Sequence, residues 1–124
     1  MDDRRKNDCL EVQAKHLMFD DSVDLVYADC FQTSIENETF ENNTSNGQRY
    51  AHSILEFSPE NMIKCLPGPI PLWRRRMHEI CGLFDTVNCN YADDWEMWLR
   101  AVREGAKFKK VKKFRSMPLN IITK

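Results

Sequence analysis

The sequence predicts an α/β fold, and three observations carry that prediction. A helix pattern, a short acidic turn and an apolar strand pattern follow one another over residues 8–31. A second helix pattern, bounded by start and stop signals, runs from Asp93 to Gly105. The composition is globular, with 42% apolar and 30% charged residues, four glycines and five prolines, which excludes collagen-like, low-complexity and largely disordered chains. The 124 residues bound it to one domain of ordinary size or a piece of a larger one.

The first helix is expected to begin at Asp8, with Glu11 completing a capping-box pattern. Leu10, Ala14, Leu17 and Met18 recur at helical spacing and predict its buried face, and Asp20-Asp21-Ser22 ends it. Val23 to Phe31 reads as a buried strand ending near Asp29, and helix plus strand suggest a partly parallel sheet. Residues 36–49 are polar and aperiodic, which predicts an exposed loop, or two strand ends joined by a turn at Asn46-Gly47. Tyr50 to Phe57 is expected to return to extended structure.

Ser58-Pro59-Glu60 opens a helix that must stop before Pro67, and Leu66 to Pro71 is too proline-rich for anything but a stiff loop. Helix resumes over about Trp73–Cys81, with Gly82 as its stop. In the last helix Asp93 and Glu96 form a second capping box. Trp95, Trp98, Leu99 and Val102 share its apolar face, and Glu96 can pair with Arg100. Residues 107–114 read as a basic edge strand or arm.

No apolar run approaches the roughly 18 residues of a membrane span. The charged N-terminus has no apolar stretch behind it, so it is not read as a secretory signal. Cys9, Cys30, Cys65, Cys81 and Cys89 are scattered and contain no C-x-x-C pair, which argues for reduced thiols in a cytoplasmic setting. The net charge of -1 hides an asymmetry: residues 1–69 carry six basic and thirteen acidic residues, residues 70–124 twelve and six. The basic half can face the acidic half or an anionic ligand.

Four features invite chemistry, each against a plainer competitor. Asp2-Asp3 offers the hard oxygens a divalent cation prefers, against a solvated, frayed terminus. Asp29 ends a strand, where open α/β sheets bind ligands, against a turn-initiating aspartate. Trp73-Arg74-Arg75-Arg76 offers guanidinium forks for phosphate, against a solvated helix face. In Asp93-Asp94-Trp95-Glu96, carboxylates at a helix N-terminus are held ionised by the free amides and the helix dipole. Capping is the competing role there; Asp93 fills it alone and leaves Asp94 free for chemistry. The basic tail reads as edge-strand protection before it reads as a nucleic-acid site.

Four segments in order carry a resemblance. Asp2-Asp3-Arg4-Arg5 looks like the end of a D-x-D-type motif, and Val23-Asp24-Leu25-Val26-Tyr27-Ala28-Asp29 looks like a "D-L-V-Y-G-D" strand with Ala28 for the usual Gly. Leu66 to Glu79, followed by Gly82-Leu83-Phe84-Asp85, is similar to "P-x-x-W-R-x-x-x-H-E…G-x-F-D". Asp93 to Arg100 is similar to an "(E/G)-D-W-E-x-W-L-R" helix. Together they resemble the inverting GT-A glycosyltransferases of family two, over nearly the whole chain and fading after about Phe114.

The resemblance implies a partial GT-A, Rossmann-like fold lacking the N-terminal nucleotide-binding half. Met1 then reads as an internal methionine, with a metal-motif remnant at residues 1–5 and an acceptor-side region at about 66–105. The Val23–Phe31 strand is expected to lack sheet neighbours in the isolated chain, leaving a loose N-terminal helix. The implied activity is transfer of a sugar from a nucleotide-activated donor to an acceptor hydroxyl with inversion. Asp2 and Asp3 would hold Mg²⁺ or Mn²⁺, which stabilises the leaving diphosphate, and Asp94 would take the acceptor proton as general base. Asp93, Trp73, Arg74 and Asp29 are the candidate substrate contacts, Trp73 as a flat face for a sugar ring. The implied partners are a nucleotide sugar, a carbohydrate, lipid-linked or protein acceptor and the missing half, with no nucleic acid. The Q-x-x-R-W motif of processive members is absent, which points to single addition. The rival reading is a non-catalytic carbohydrate- or partner-binding remnant of the same fold; nucleic-acid binding through the tail ranks third.

Overall fold

The computed structural model describes residues 4–111 and 120–123. Their order is β1 (Arg4–Arg5), α1 (Cys9–Phe19), β2 (Leu25–Tyr27), β3 (Cys30–Thr33), β4 (Leu72–Trp73), α2 (Arg76–Cys81), α3 (Asp93–Arg103), β5 (Phe108–Lys110) and β6 (Asn120–Thr123). The strands form two mixed three-stranded sheets, β4-β2-β5 and β1-β6-β3, so the class is mixed α/β. No helix among the described residues is long and apolar enough to cross a membrane.

α1 fills its expected span but turns another face inward. Cys9, Gln13 and Leu17 are buried, whereas Leu10 and Met18 are 54% and 72% exposed. Gln13 decides the rotation. Its Nε2 donates to the Ile70 carbonyl at 3.1 Å and its Oε1 accepts from Cys9 Sγ at 3.2 Å, and a buried amide is tolerated only when so satisfied. Asp8 stands at the N-cap without a side-chain bond to the helix, and Glu11 pairs with Lys15 at 2.8 Å instead of closing a capping box.

Residues 23–30 are buried throughout, as expected, but two strands share them. β2 ends at Tyr27 and β3 opens at Cys30 in the other sheet. β2 also has neighbours on both sides, which overturns the expectation of an unpaired strand. β4 runs antiparallel to it, with Leu25 opposite Trp73, and β5 runs parallel, with Leu25 opposite Phe108. Just ahead of β2, buried Asp24 knits three segments together. Its carboxylate accepts from Arg76 Nε at 2.6 Å and from the Lys107 amide at 3.0 Å, and its carbonyl accepts from the Arg74 amide at 2.8 Å.

The loop over 36–49 carries the expected turn, with Asn46 and Gly47 at φ +52° and +78° and a bridge from Phe31 to Arg49. Tyr50–Phe57 is not extended. It forms a 3₁₀ turn over Ala51–Ser53, and side chains rather than a strand take its later carbonyls: Tyr27 Oη donates to Leu55 at 2.6 Å, and Lys110 Nζ to Ile54 at 2.5 Å. The helix started by Ser58 is one 3₁₀ turn, Glu60–Ile63, whose Asn61 amide donates to Ser58 Oγ at 3.2 Å.

The stiff loop ends at Pro71 as expected, but Leu72 and Trp73 then form strand β4 instead of leading into a helix. α2 therefore starts at Arg76 rather than at Trp73 and stops at Gly82, where φ is +82°. α3 has the expected start and end but no capping box. Ala92 is the N-cap, Asp93 lies inside the helix, and Glu96 binds Arg100 through two hydrogen bonds of 2.8 Å. Its buried residues are Met97, Trp98 and Ala101, while Leu99 is 44% exposed. Of the basic tail, β5 is the edge strand expected; residues 112–114 lie outside the described set. The main core gathers Leu25, Tyr27, Met62, Leu66, Met77, Met97, Trp98 and Phe108 between the β4-β2-β5 sheet and the helices α2 and α3.

Candidate functional site

Three distant segments converge on one cleft of about 290 Å³. Gly68, Pro69 and Pro71 of the stiff loop form part of its wall, and Trp73, Phe84, Trp98, Asp94 and Arg5 complete it. Gly68 has φ +61°, and a Cβ there would stand 2.3 Å from Ser53 Oγ, so the loop's approach requires glycine.

The aromatic wall is built as a unit. Trp98, only 2% exposed, meets Trp73 edge-on with centroids 5.1 Å apart, Phe84 at 5.7 Å and Phe108 at 6.3 Å. Trp73 and Phe84 also meet edge-on, at 6.2 Å. T-shaped pairs of this kind fix ring orientation beyond what burial alone does. The half-buried ring of Trp73 thus lines the cleft on a rigid backing, the property a sugar-stacking surface needs.

Asp94 sits in the first turn of α3, one helical turn before Trp98 on the same face. Its Oδ1 accepts from the Trp95 amide at 2.6 Å, which fixes the carboxylate, and the side chain is exposed to solvent. The helix start is itself anchored, since Trp95 Nε1 donates to the Met62 carbonyl at 3.0 Å. Asp94 also acts on Cys65: burial, with the Asp94 charge adding to it, pushes that thiol up to about 11.

Arg5 reaches the cleft from β1, and its Nη1 donates to Gln13 Oε1 at 3.4 Å. The same Gln13 that sets the rotation of α1 therefore also tethers a cation at the cleft. In the sequence Arg5 has a place in the Asp2-Asp3-Arg4-Arg5 segment but no role; what brings it here is the pairing of β1 with β6, Arg5 opposite Asn120.

The other expected residues lie elsewhere. The Asp29 carboxylate is buried between Lys110 Nζ at 3.0 Å and Arg49 Nη1 at 3.2 Å. Arg74 binds main-chain oxygens, Val23 at 2.7 Å, Asp20 at 3.0 Å and Leu17, so it closes the carbonyl end of α1. Asp93 is half-buried at the head of α3 and does not line the cleft. Asp2 and Asp3 lie outside the described residues. Among the described residues, no group of three or more His, Cys, Asp or Glu side chains is arranged to hold a metal ion. A second hollow of about 340 Å³, lined by Lys15, His16, Phe19, Asp20 and Lys109, contains none of the expected site residues.

No protein-family model matches this chain, and no curated protein sequence matches it.

Proposed function

We propose that this chain is the acceptor-side part of a GT-A glycosyltransferase catalytic domain, moving a sugar from a nucleotide-activated donor to an acceptor hydroxyl with inversion. One observation carries the reading. Asp94 and Trp73, taken from two separate motifs of the resemblance, share one cleft with Arg5, which belongs to the metal-motif segment.

The acceptor ring lies against Trp73, which holds its hydroxyl close to Asp94. With Oδ1 engaged by the Trp95 amide, Oδ2 is the oxygen that takes the hydroxyl proton as the acceptor attacks the anomeric carbon. One displacement inverts that carbon, so no enzyme nucleophile is required. Asp2 and Asp3 would hold a divalent cation, whose Lewis acidity stabilises charge on the departing diphosphate.

The test is release of nucleoside diphosphate from a panel of nucleotide sugars with Mn²⁺, by the chain alone and mixed with a complementary nucleotide-binding half. Asp94→Asn should slow transfer by about 10²- to 10⁴-fold with donor binding retained. Full turnover in that variant would remove Asp94 from the mechanism. Sugar binding without any turnover would give the same cleft to a non-catalytic carbohydrate-binding remnant.

A further inference from the structure

Among the described residues the cleft contains one cation, Arg5, and no ion pair neutralises it. Arg5 is exposed, and among the described residues its guanidinium donates to the neutral carboxamide oxygen of Gln13. Among the described residues no carboxylate forms an ion pair with it. Several of the other arginines differ, although exposed Arg75 also forms no ion pair among the described residues. Arg49, Arg76 and Arg100 are paired with Asp29, Asp24 and Glu96 at 3.2, 2.6 and 2.8 Å.

Gln13 is also no casual neighbour. It is fully buried, its amide nitrogen is committed to the Ile70 carbonyl, and its oxygen is thereby turned to Arg5. A neutral acceptor that orients a guanidinium without neutralising it leaves the charge available to a ligand. The rest of the cleft supplies aromatic faces at Trp73 and Phe84 and one fixed carboxylate at Asp94. Its volume of about 290 Å³ stands at the small end of ligand pockets, suited to one ring rather than several.

We propose that this cleft binds a monosaccharide unit bearing an acidic group, a carboxylate or a phosphate, with the anion on the Arg5 guanidinium and a ring face on Trp73. The proposal rests on the acceptor-side reading above and narrows it: the acceptor is an acidic sugar. The planar fork of Arg5 suits the two oxygens of a carboxylate or phosphate. Asp94 disfavours an anion beside its own carboxylate, so the acidic group is placed on Arg5 and a hydroxyl is left for Asp94. The charge on Arg5 thereby fixes which way round the ring enters.

Tryptophan fluorescence titrations of the 124-residue chain test this, because Trp73 and Trp98 line the cleft. The probes are glucuronate, glucose 6-phosphate, glucose and inorganic pyrophosphate. The acidic sugars should bind about tenfold tighter than glucose, the worth of one charge-assisted contact at a surface cleft. Arg5→Gln should erase that advantage, leave glucose affinity unchanged and leave the circular dichroism spectrum intact.

Three results would each overturn the proposal. Glucose could bind as well as glucuronate; the acidic advantage could survive Arg5→Gln; or pyrophosphate could bind while neither acidic sugar does, which would make Arg5 a contact for the donor diphosphate. Asp94→Asn separates this proposal from the functional one. It should leave glucuronate affinity within about threefold while abolishing most transfer. Arg5-dependent glucuronate binding in a chain whose turnover ignores Asp94 would remove Asp94 from the mechanism and keep the acidic-sugar site, and the same binding with no turnover at all would sink the enzyme reading.

Discussion

Trp73 Nε1 donates to His78 Nε2 at 3.0 Å, so that nitrogen accepts and carries no proton. The ring's Nδ1 is 3.0 Å from the Gly82 carbonyl and must then be the N–H donor. The two bonds assign His78 one neutral tautomer and tie the cleft tryptophan to the end of α2.

His78→Phe should keep the aromatic contact with Trp73 and Phe84 but leave the indole N–H without its acceptor. Stability should fall by about 1 kcal/mol in urea titrations, the net worth of one partly buried hydrogen bond. Stability unchanged in that variant would show that solvent replaces His78 at no cost.

Cys65 reports on the charge of Asp94. Burial first, and the Asp94 carboxylate second, hold the thiol up to about 11, so iodoacetamide should label Cys65 slowly at pH 8. Asp94→Asn removes that negative charge and should move the labelling profile of Cys65, followed by peptide mass mapping, to lower pH. An unmoved profile would mean that burial alone sets the thiol.

At Gly68 two penalties coincide, a φ of +61° and the 2.3 Å approach of any Cβ to Ser53 Oγ. Gly68→Ala should destabilise by roughly 1–3 kcal/mol. Ser53 Oγ is fully buried and has no hydrogen-bond partner among the described residues, so Ser53→Ala should itself stabilise by about 1 kcal/mol. Combined, the two changes should recover the steric part of the loss and not the backbone part. Additive effects of the two changes in thermal melts would place the cost of Gly68→Ala wholly in its φ.

The Glu96–Arg100 pair fixes a pH dependence. Hydrogen bonds from Arg100 hold the Glu96 carboxyl below the usual 4.5. The stabilisation is therefore complete above about 4.5 and disappears as pH falls through the lower folded value. Arg100 also donates to the carbonyls of Cys81 and Leu83, so the pair links α3 to the end of α2. Glu96→Gln should flatten this part of the acid limb in stability measurements between pH 5 and 3, and an acid limb identical to the parent's would exclude the pair from it.

What was legible in the sequence was whatever local rules decide. The start and stop of α3, the Gly82 stop and the Asn46-Gly47 turn follow from nearby residues and stand where expected. The inward face of α1 did not, because Gln13 is buried by a carbonyl 57 positions away. Strand β4 was hidden for the same reason: Leu72 and Trp73 are extended because Leu25 and Val26 pair with them, which a Pro-rich context does not announce. Arg74 looked like a phosphate ligand, and only the end of α1 beside it shows its carbonyl-binding role. At the site, Asp94 and Trp73 carried motif signals, whereas Arg5 carried none beyond its position after Asp2-Asp3-Arg4. The β-branched residues Ile121, Ile122 and Thr123 are a strand signal for β6.

The parallel pairing of β2 with β5 sets a time order. Asp24 and Lys107, bonded through amide and carboxylate, are 83 positions apart. During synthesis, β2 leaves the ribosome with neither flanking strand made, then gains β4, and waits for β5 until Lys110 has emerged. Loops of this length close slowly, and an apolar strand exposed meanwhile is open to the wrong partner. Phe108, which backs Trp98 and through it the cleft wall, arrives with that last strand. The nascent chain should therefore complete the wall of this cleft late, and a ribosome stalled before residue 108 has emerged should display a chain without it.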